Sequence, residues 1–310
     1  MDWLPVLFYD EVIGCLSNDS LNVLYKSDLS CEVWLCLAQT HKNKRRSYNA
    51  VLTSETLESK KAFLSSFQKF HACNALYKRV SYVRHKVKDL DDKELPIPYS
   101  TILKYLESVL PFFDNDNIEH TRISVLLPKN HAADLLALLL KYKCIFGSIA
   151  IPYAGRISMD FLDFHIKKGK LICICLSRAP FEWPTEVVPL LKNFIEQKQM
   201  RSLICPNRQE IALDFDAFEN RFTRWLQNPE SEIDVTMKVN VRFEQEEFER
   251  YLRRDDTNPL GGVQRFGRRH KKGNFFILAE WLNYRISLNF QKVISNPMFE
   301  FVRLSQYCYE

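Results

Sequence analysis

The sequence predicts an α/β fold: a short helical module over residues 1–46, then alternating strand and helix units over residues 47–310. Three observations carry that expectation. Apolar positions before Arg46 fall at helical spacing, as in Val12, Ile13 and Leu16. After Arg46, short β-branched runs alternate with longer stretches of helical periodicity. The strand-like starts then recur at a near-regular interval.

The elements follow in order. Asn18-Asp19-Ser20 supplies a turn with capping residues, ahead of a second helix bearing Leu21 and Leu24. Ser30-Cys31 leads into a third helix with Val33, Trp34, Leu37 and Ala38, and HKNKRR closes the module. YNAVLTS is strand-like, and TLESKKAFLSSFQKF spaces Leu57, Phe63, Leu64, Phe67 and Phe70 as a helix would. RVSYVRHKV alternates as a strand, and STILKYLESVL is an amphipathic helix. RISVLLP, IFGSIAIP, KLICICLS, MRSLICP and SEIDVTMKVNV read as further strands. HAADLLALLLKYK, SMDFLDFHIKK, VVPLLKNFIEQKQ, DAFENRFTRWLQ and FEQEEFERYLRR read as the helices that follow them. HAADLLALLLKYK is apolar nearly all round and belongs in a core. KLICICLS is continuously apolar, the pattern of a central parallel strand covered on both faces, so Cys173, Cys175 and the later Cys205 are expected to be buried. NFFILAEWLNYRISLNFQK differs: it predicts a closing antiparallel hairpin with Asn283 at the turn.

Strand starts at Arg122, Phe146, Lys170, Arg201 and Glu232 lie roughly 24 to 31 residues apart. One strand and one helix cannot bury their apolar faces alone, so units of this length stack on their neighbours. The expected arrangement is an irregular, leucine-rich-repeat-like succession of β–α units, without the fixed asparagine of that repeat. A doubly wound parallel sheet produces the same alternation and stays open as the alternative.

Composition narrows the functional classes. Lysine and arginine number 43 against 38 acidic residues, and the net charge of +5 is too small to imply nucleic-acid binding by itself. Only 8 glycines are present, and the closely spaced glycines of phosphate-cradling loops are missing. Neither G-x-S-x-G nor H-E-x-x-H occurs. Cys173 and Cys175 form a C-x-C pair with no second pair at metal-ligand spacing, which favours core thiols. Cys31 and Cys36, with His41 beyond, share no helix face well. His131 reads as a residue near a helix start, and Asp214 and Asp216 suit the positive end of a helix better than paired-carboxylate catalysis. The chain is therefore expected to have no catalytic residues, no metal and no cofactor. A nucleotide-binding α/β enzyme remains the less favoured alternative.

The 9 cysteines are odd in number and scattered through apolar runs, as in reduced proteins of the cytoplasm or nucleus. Asp2 precedes the first apolar run, and Asp10 and Glu11 interrupt it, unlike a secretory signal. The apolar stretch ADLLALLLKYK is about half the ~20 residues that a membrane span needs. No membrane partner is expected.

One segment concentrates charge. GGVQRFGRRHKKGNFFILAEW carries Arg265, Arg268, Arg269, Lys271 and Lys272 among glycines 261, 262, 267 and 273. It reads as a flexible basic contact loop in which Phe266 could stack on a nucleic-acid base. A solvated hairpin loop or a nuclear-import signal has the same composition, so nucleic acid stands as a secondary candidate partner.

The opening residues carry a more specific pattern. Leu4-Pro5 is followed by spaced leucines at 16, 21 and 24, then Cys31, Trp34 and Leu37-Ala38. Over residues 4–40 this order resembles the F-box. It is most similar to the F-box proteins expanded in nematodes, which often open with Met-Asp-x-x-Pro-x-x-Phe, as Met1 to Phe8 do here. The resemblance implies that Leu4, Pro5, Leu16, Leu21, Leu24 and Trp34 face a Skp-type adaptor, which links to a cullin–RING ubiquitin ligase. Residues 47–310 would then hold a protein substrate. A helical end cap on a repeat stack requires similar leucines and a tryptophan, and that reading stays open.

Overall fold

A computed structural model of the chain describes residues 9–10, 12–13, 16, 18–26, 32–44, 46–53, 78–86, 99–113, 121–126, 129–176, 182–206, 208–255 and 263–292. The chain divides into two compact units, Met1–His165 and Ile166–Glu310.

The first unit begins with helices α1 (Asn18–Lys26) and α2 (Glu32–Lys44). Strands β1 (Arg46–Thr53) and β2 (Lys78–Lys86) follow, then helix α3 (Tyr99–Val109), strand β3 (Arg122–Leu126), helix α4 (Lys129–Lys141) and strand β4 (Ser148–Ala150). Helix α5 (Arg156–Lys168) runs on from there. β1 pairs with β2, β2 with β3 and β3 with β4, every pair parallel and in chain order. The expected apolar helix is buried as its composition demands: Ala132, Leu135, Leu136 and Leu139 of α4 are fully covered. Phe146, expected to start a strand, is buried ahead of β4 in a turn, where Gly147 N–H donates to the Thr121 carbonyl and hydroxyl.

His165 on α5 sits in this core with both ring nitrogens facing carbonyls, Phe161 O at 2.7 Å and Cys144 O at 3.1 Å. Burial, the larger effect, pushes its pKa down to about 4, while the two carbonyls favour the protonated ring and oppose that shift.

The second unit holds strand β5 (Cys173–Cys175), helix α6 (Val188–Ile195), strands β6 (Ser202–Ile204) and β7 (Ala212–Leu213), and helix α7 (Asp216–Gln227). Strand β8 (Val235–Val241) and the short helix α8 (Gln245–Glu249) lead to β9 (Arg253–Asp255), β10 (Gln264–Arg269), β11 (Phe275–Leu282) and β12 (Arg285–Lys292). β5, β6 and β8 are parallel neighbours, and β7 also joins β8 in parallel. From β8 the sheet turns antiparallel through β12, β11, β10 and β9. The strand starts lie within a few residues of those expected, at Arg122, Ser148, Cys173, Ser202 and Val235.

The closing hairpin has the expected form. Leu282 pairs with Arg285, and Asn283 occupies the turn at φ 55°. Alternation along its strands buries Phe275, Ile277, Ala279 and Trp281 on one side, with Ile286, Leu288 and Phe290 from β12. Phe222, Phe248, Phe266 and Trp281 meet edge to face beneath the sheet.

Two expectations need correction. FEQEEFERYLRR is helical only over Gln245–Glu249, because Arg253–Asp255 leaves the helix to pair with β10. Cys173 and Cys175 are half-buried rather than buried: pleating turns Ile174 into the core and both thiols to the opposite face, which is only partly covered. Cys205 is fully buried as expected. The predicted helix bearing Leu57, Phe63, Leu64, Phe67 and Phe70 lies outside the described residues.

Candidate partner-binding surfaces

The N-terminal surface is built from three helical segments: Tyr9, Asp10, Val12 and Ile13 in the first, then α1 and α2. Leu21 and Leu24 are one turn apart on α1, while Trp34, Leu37, Ala38 and His41 form the inward stripe of α2. Ile13, Leu21 and Ala38 make a buried cluster against which Leu16, Leu24, Trp34 and Leu37 pack. Tyr9 meets Trp34 edge to face at 5.1 Å. The fully buried His41 ring places Nε2 2.8 Å from the Asp10 carboxylate, tying α2 to the first segment.

Of the six residues expected to face an adaptor, Leu16, Leu21, Leu24 and Trp34 come together here; Leu4 and Pro5 lie outside the described residues. Leu21 is turned inward and covered, whereas Leu16, Leu24 and Trp34 are half-buried. Two apolar residues outside that set of six are the more open ones: Val23 is 70% exposed and Val33 is 38% exposed. Val23 lies two positions after Leu21, and therefore off the inward stripe. That offset was the available signal.

The basic segment is more ordered than a flexible loop. Arg265, Arg268 and Arg269 belong to strand β10, and only Lys271 and Lys272 fall in the tight turn before β11. Gly273 closes that turn at φ +94°, a conformation that favours glycine. Arg265 faces Glu280 across the ladder at 3.4 Å. Arg268 donates to the Tyr251 carbonyl, and Arg269 donates to Gly273 O while its guanidinium lies 5.6 Å above the Phe276 ring. Phe266 is not available for stacking on a base: it is 1% exposed, packed on Phe248 and Trp281. Strand alternation sends it to the core face, which a loop reading could not anticipate.

The polar residues weighed for chemistry are engaged by neighbouring side chains. Asp214 and Asp216 flank the Lys192 ammonium at 2.8 and 3.3 Å, and those two hydrogen bonds raise the lysine pKa. The His131 ring stacks on Tyr99 at 3.9 Å. Among the described residues no group of three or more His, Cys, Asp or Glu side chains is placed to hold a metal ion. No helix among them is long and apolar enough to cross a membrane. Comparison with models of protein families, with curated proteins and with solved structures gives no match.

Proposed function

We propose that the chain is the substrate-recognition subunit of an SCF-type (Skp–cullin–F-box) E3 ubiquitin ligase. One observation carries this reading: Leu16, Leu21, Leu24 and Trp34, chosen by their F-box-like order, gather in one compact helical cluster ahead of β1. The half-buried leucines and tryptophan, with exposed Val23 and Val33, supply apolar surface that an adaptor would cover. Leu4 and Pro5 would complete it.

The strand order supports a repeat-like body behind this module. In each unit the parallel strands neighbour one another in chain order, with no reversal among those described. A doubly wound sheet places its ligand where the order reverses. A leucine-rich-repeat-like succession keeps one direction, and its surface holds a protein substrate by shape and side chains. The chain would perform no chemistry; it raises the effective concentration of substrate near a ubiquitin-loaded enzyme. On this reading the chain would work in the cytoplasm or nucleus.

A second reading, an end cap without an adaptor, is favoured by one detail: Leu21 faces its own module and is 1% exposed. Co-elution with a purified Skp-type adaptor separates the two. The receptor reading expects a stable complex that a Leu4→Ala, Pro5→Ala double change disrupts without unfolding the chain. Failure of the unchanged protein to bind any Skp-type adaptor leaves the cap.

A further inference from the structure

The second unit carries a groove of about 770 Å³ where α8, β9, β10 and β11 meet. Arg250, Arg253, Arg268 and Arg269 stand on its walls, all exposed, and Leu278 forms an apolar floor beside Phe276, whose ring lies under the Arg269 guanidinium. Arg254 adds a fifth guanidinium, against the single carboxylate of Glu249. The chain as a whole has a net charge of only +5, so positive charge is concentrated here. Gly267 pairs with Leu278 and leaves the floor uncovered; a Cβ at this position would meet Leu278 Cδ2 at 3.6 Å, an ordinary contact.

We propose that this groove binds an acidic segment of a protein substrate, Asp and Glu side chains engaging the arginine walls and an apolar side chain resting on Leu278. The inference rests on the substrate-receptor reading for its biological role, though not for the binding itself. Charge complementarity fixes the sign of the occupant, because guanidinium forks match carboxylates in two-point hydrogen bonds. The volume suits a few side chains.

The aromatic geometry argues against single-stranded nucleic acid, which needs open ring faces for its bases. Phe266 is buried, and Arg269 covers the Phe276 ring. Tyr251 is stacked on Phe222 at 5.1 Å, with its hydroxyl donating to Glu219. A base therefore finds no bare ring among the groove residues, whereas a carboxylate finds guanidiniums on two sides.

The test uses the full chain and a fluorescein-labelled peptide of about ten residues, in which Asp and Glu surround a central Leu-Phe, read by fluorescence anisotropy. Binding is expected to weaken as salt rises. Replacing the peptide's acids with lysine should abolish it, and Arg250→Glu with Arg253→Glu should weaken it roughly tenfold or more. Gly267→Val fills the floor without changing charge and should also weaken binding, which keeps the test decisive if the double charge reversal disturbs folding. Absence of peptide binding, unchanged affinity in folded variants, or tighter binding of a thymidine oligonucleotide of matching length overturns the proposal. Adaptor co-elution is scored on the same preparation. Peptide bound without adaptor removes the receptor reading and keeps the groove; adaptor bound without peptide does the reverse.

Discussion

Arg221 lies wholly inside the second unit, its guanidinium held by the equally buried carboxylate of Glu232. From that position Arg221 donates through Nε to Ile195 O at 2.8 Å and through Nη2 to Gln197 O at 2.9 Å, closing the C-terminal end of α6. Arg224 joins the same carboxylate at 2.8 Å and reaches Glu196 O at 3.2 Å. Carbonyls at a helix end lack partners within the helix, and cations are favoured there. Burial lowers the Arg221 pKa to about 10, the Glu232 charge opposing that shift, so the guanidinium stays charged at neutral pH.

Glu232→Ala is therefore expected to be among the most damaging single changes in this unit. It leaves one fully buried and one partly buried guanidinium without their shared anion, a loss of about 3–5 kcal/mol. Arg221→Lys should not rescue function as a clamp, because an ammonium cannot span Ile195 and Gln197 in a fixed fork. Urea unfolding followed by tryptophan fluorescence checks both; a midpoint for Glu232→Ala within error of the unchanged protein contradicts the assignment.

His165 predicts an acid-sensitive core. Its folded pKa, about 4, lies below the ordinary value of 6.5, so the unfolded chain binds the extra proton more readily. Stability from this residue is present above pH 6.5 and is lost as pH falls toward 4, by up to ~3 kcal/mol. The His165 C2 proton in an NMR titration should not shift between pH 7 and 5. A midpoint near 6.5 would refute the depressed value.

The thiols should react in a defined order. Among the described residues, Cys36 is exposed and should be alkylated first, with half-buried Cys173 and Cys175 following. Cys144 and Cys205 are buried, and desolvation pushes both up to about 12, which keeps them protonated and slow. Mass spectrometry after brief alkylation of the native protein gives the order directly; early modification of Cys205 would count against the packing of β6.

Within the helical module, two neighbouring positions separate an adaptor surface from a cap. Val23→Glu changes an exposed side chain and should spare stability while weakening adaptor binding. Leu21→Ala removes a buried one and should cost about 2–5 kcal/mol in folding. Thermal melts with adaptor pull-down on both variants decide it. Equal adaptor binding by Val23→Glu and the unchanged chain would remove Val23 from the proposed contact.

These contrasts show what the sequence made legible. The β–α alternation and the Asn283 hairpin could be read because period and turn chemistry are local properties. The basic segment reads as a loop because four glycines around its arginines outweigh its alternation, although Phe266 marks the buried face of a strand. The Arg221 clamp could have been noticed as an arginine inside the stripe of Phe218, Phe222 and Trp225. Its partners Glu232, Ile195 and Gln197 come from other elements, and only the fold brings them together. The arginine groove likewise joins α8 to β10, which no linear spacing encodes.

A strand has two edges, and β8 has given away both. β6 and β7 take one, and β12 runs the other way along the second. Parallel units of this kind set no length for themselves, since each new strand presents a fresh edge to the next. The hairpin acts as a full stop: a duplicated β–α unit could be inserted before β8 and continue the series, but one placed directly after β8 would find both of that strand's edges already taken. In this unit the size of the parallel array is thus set by its last hairpin and not by the units themselves.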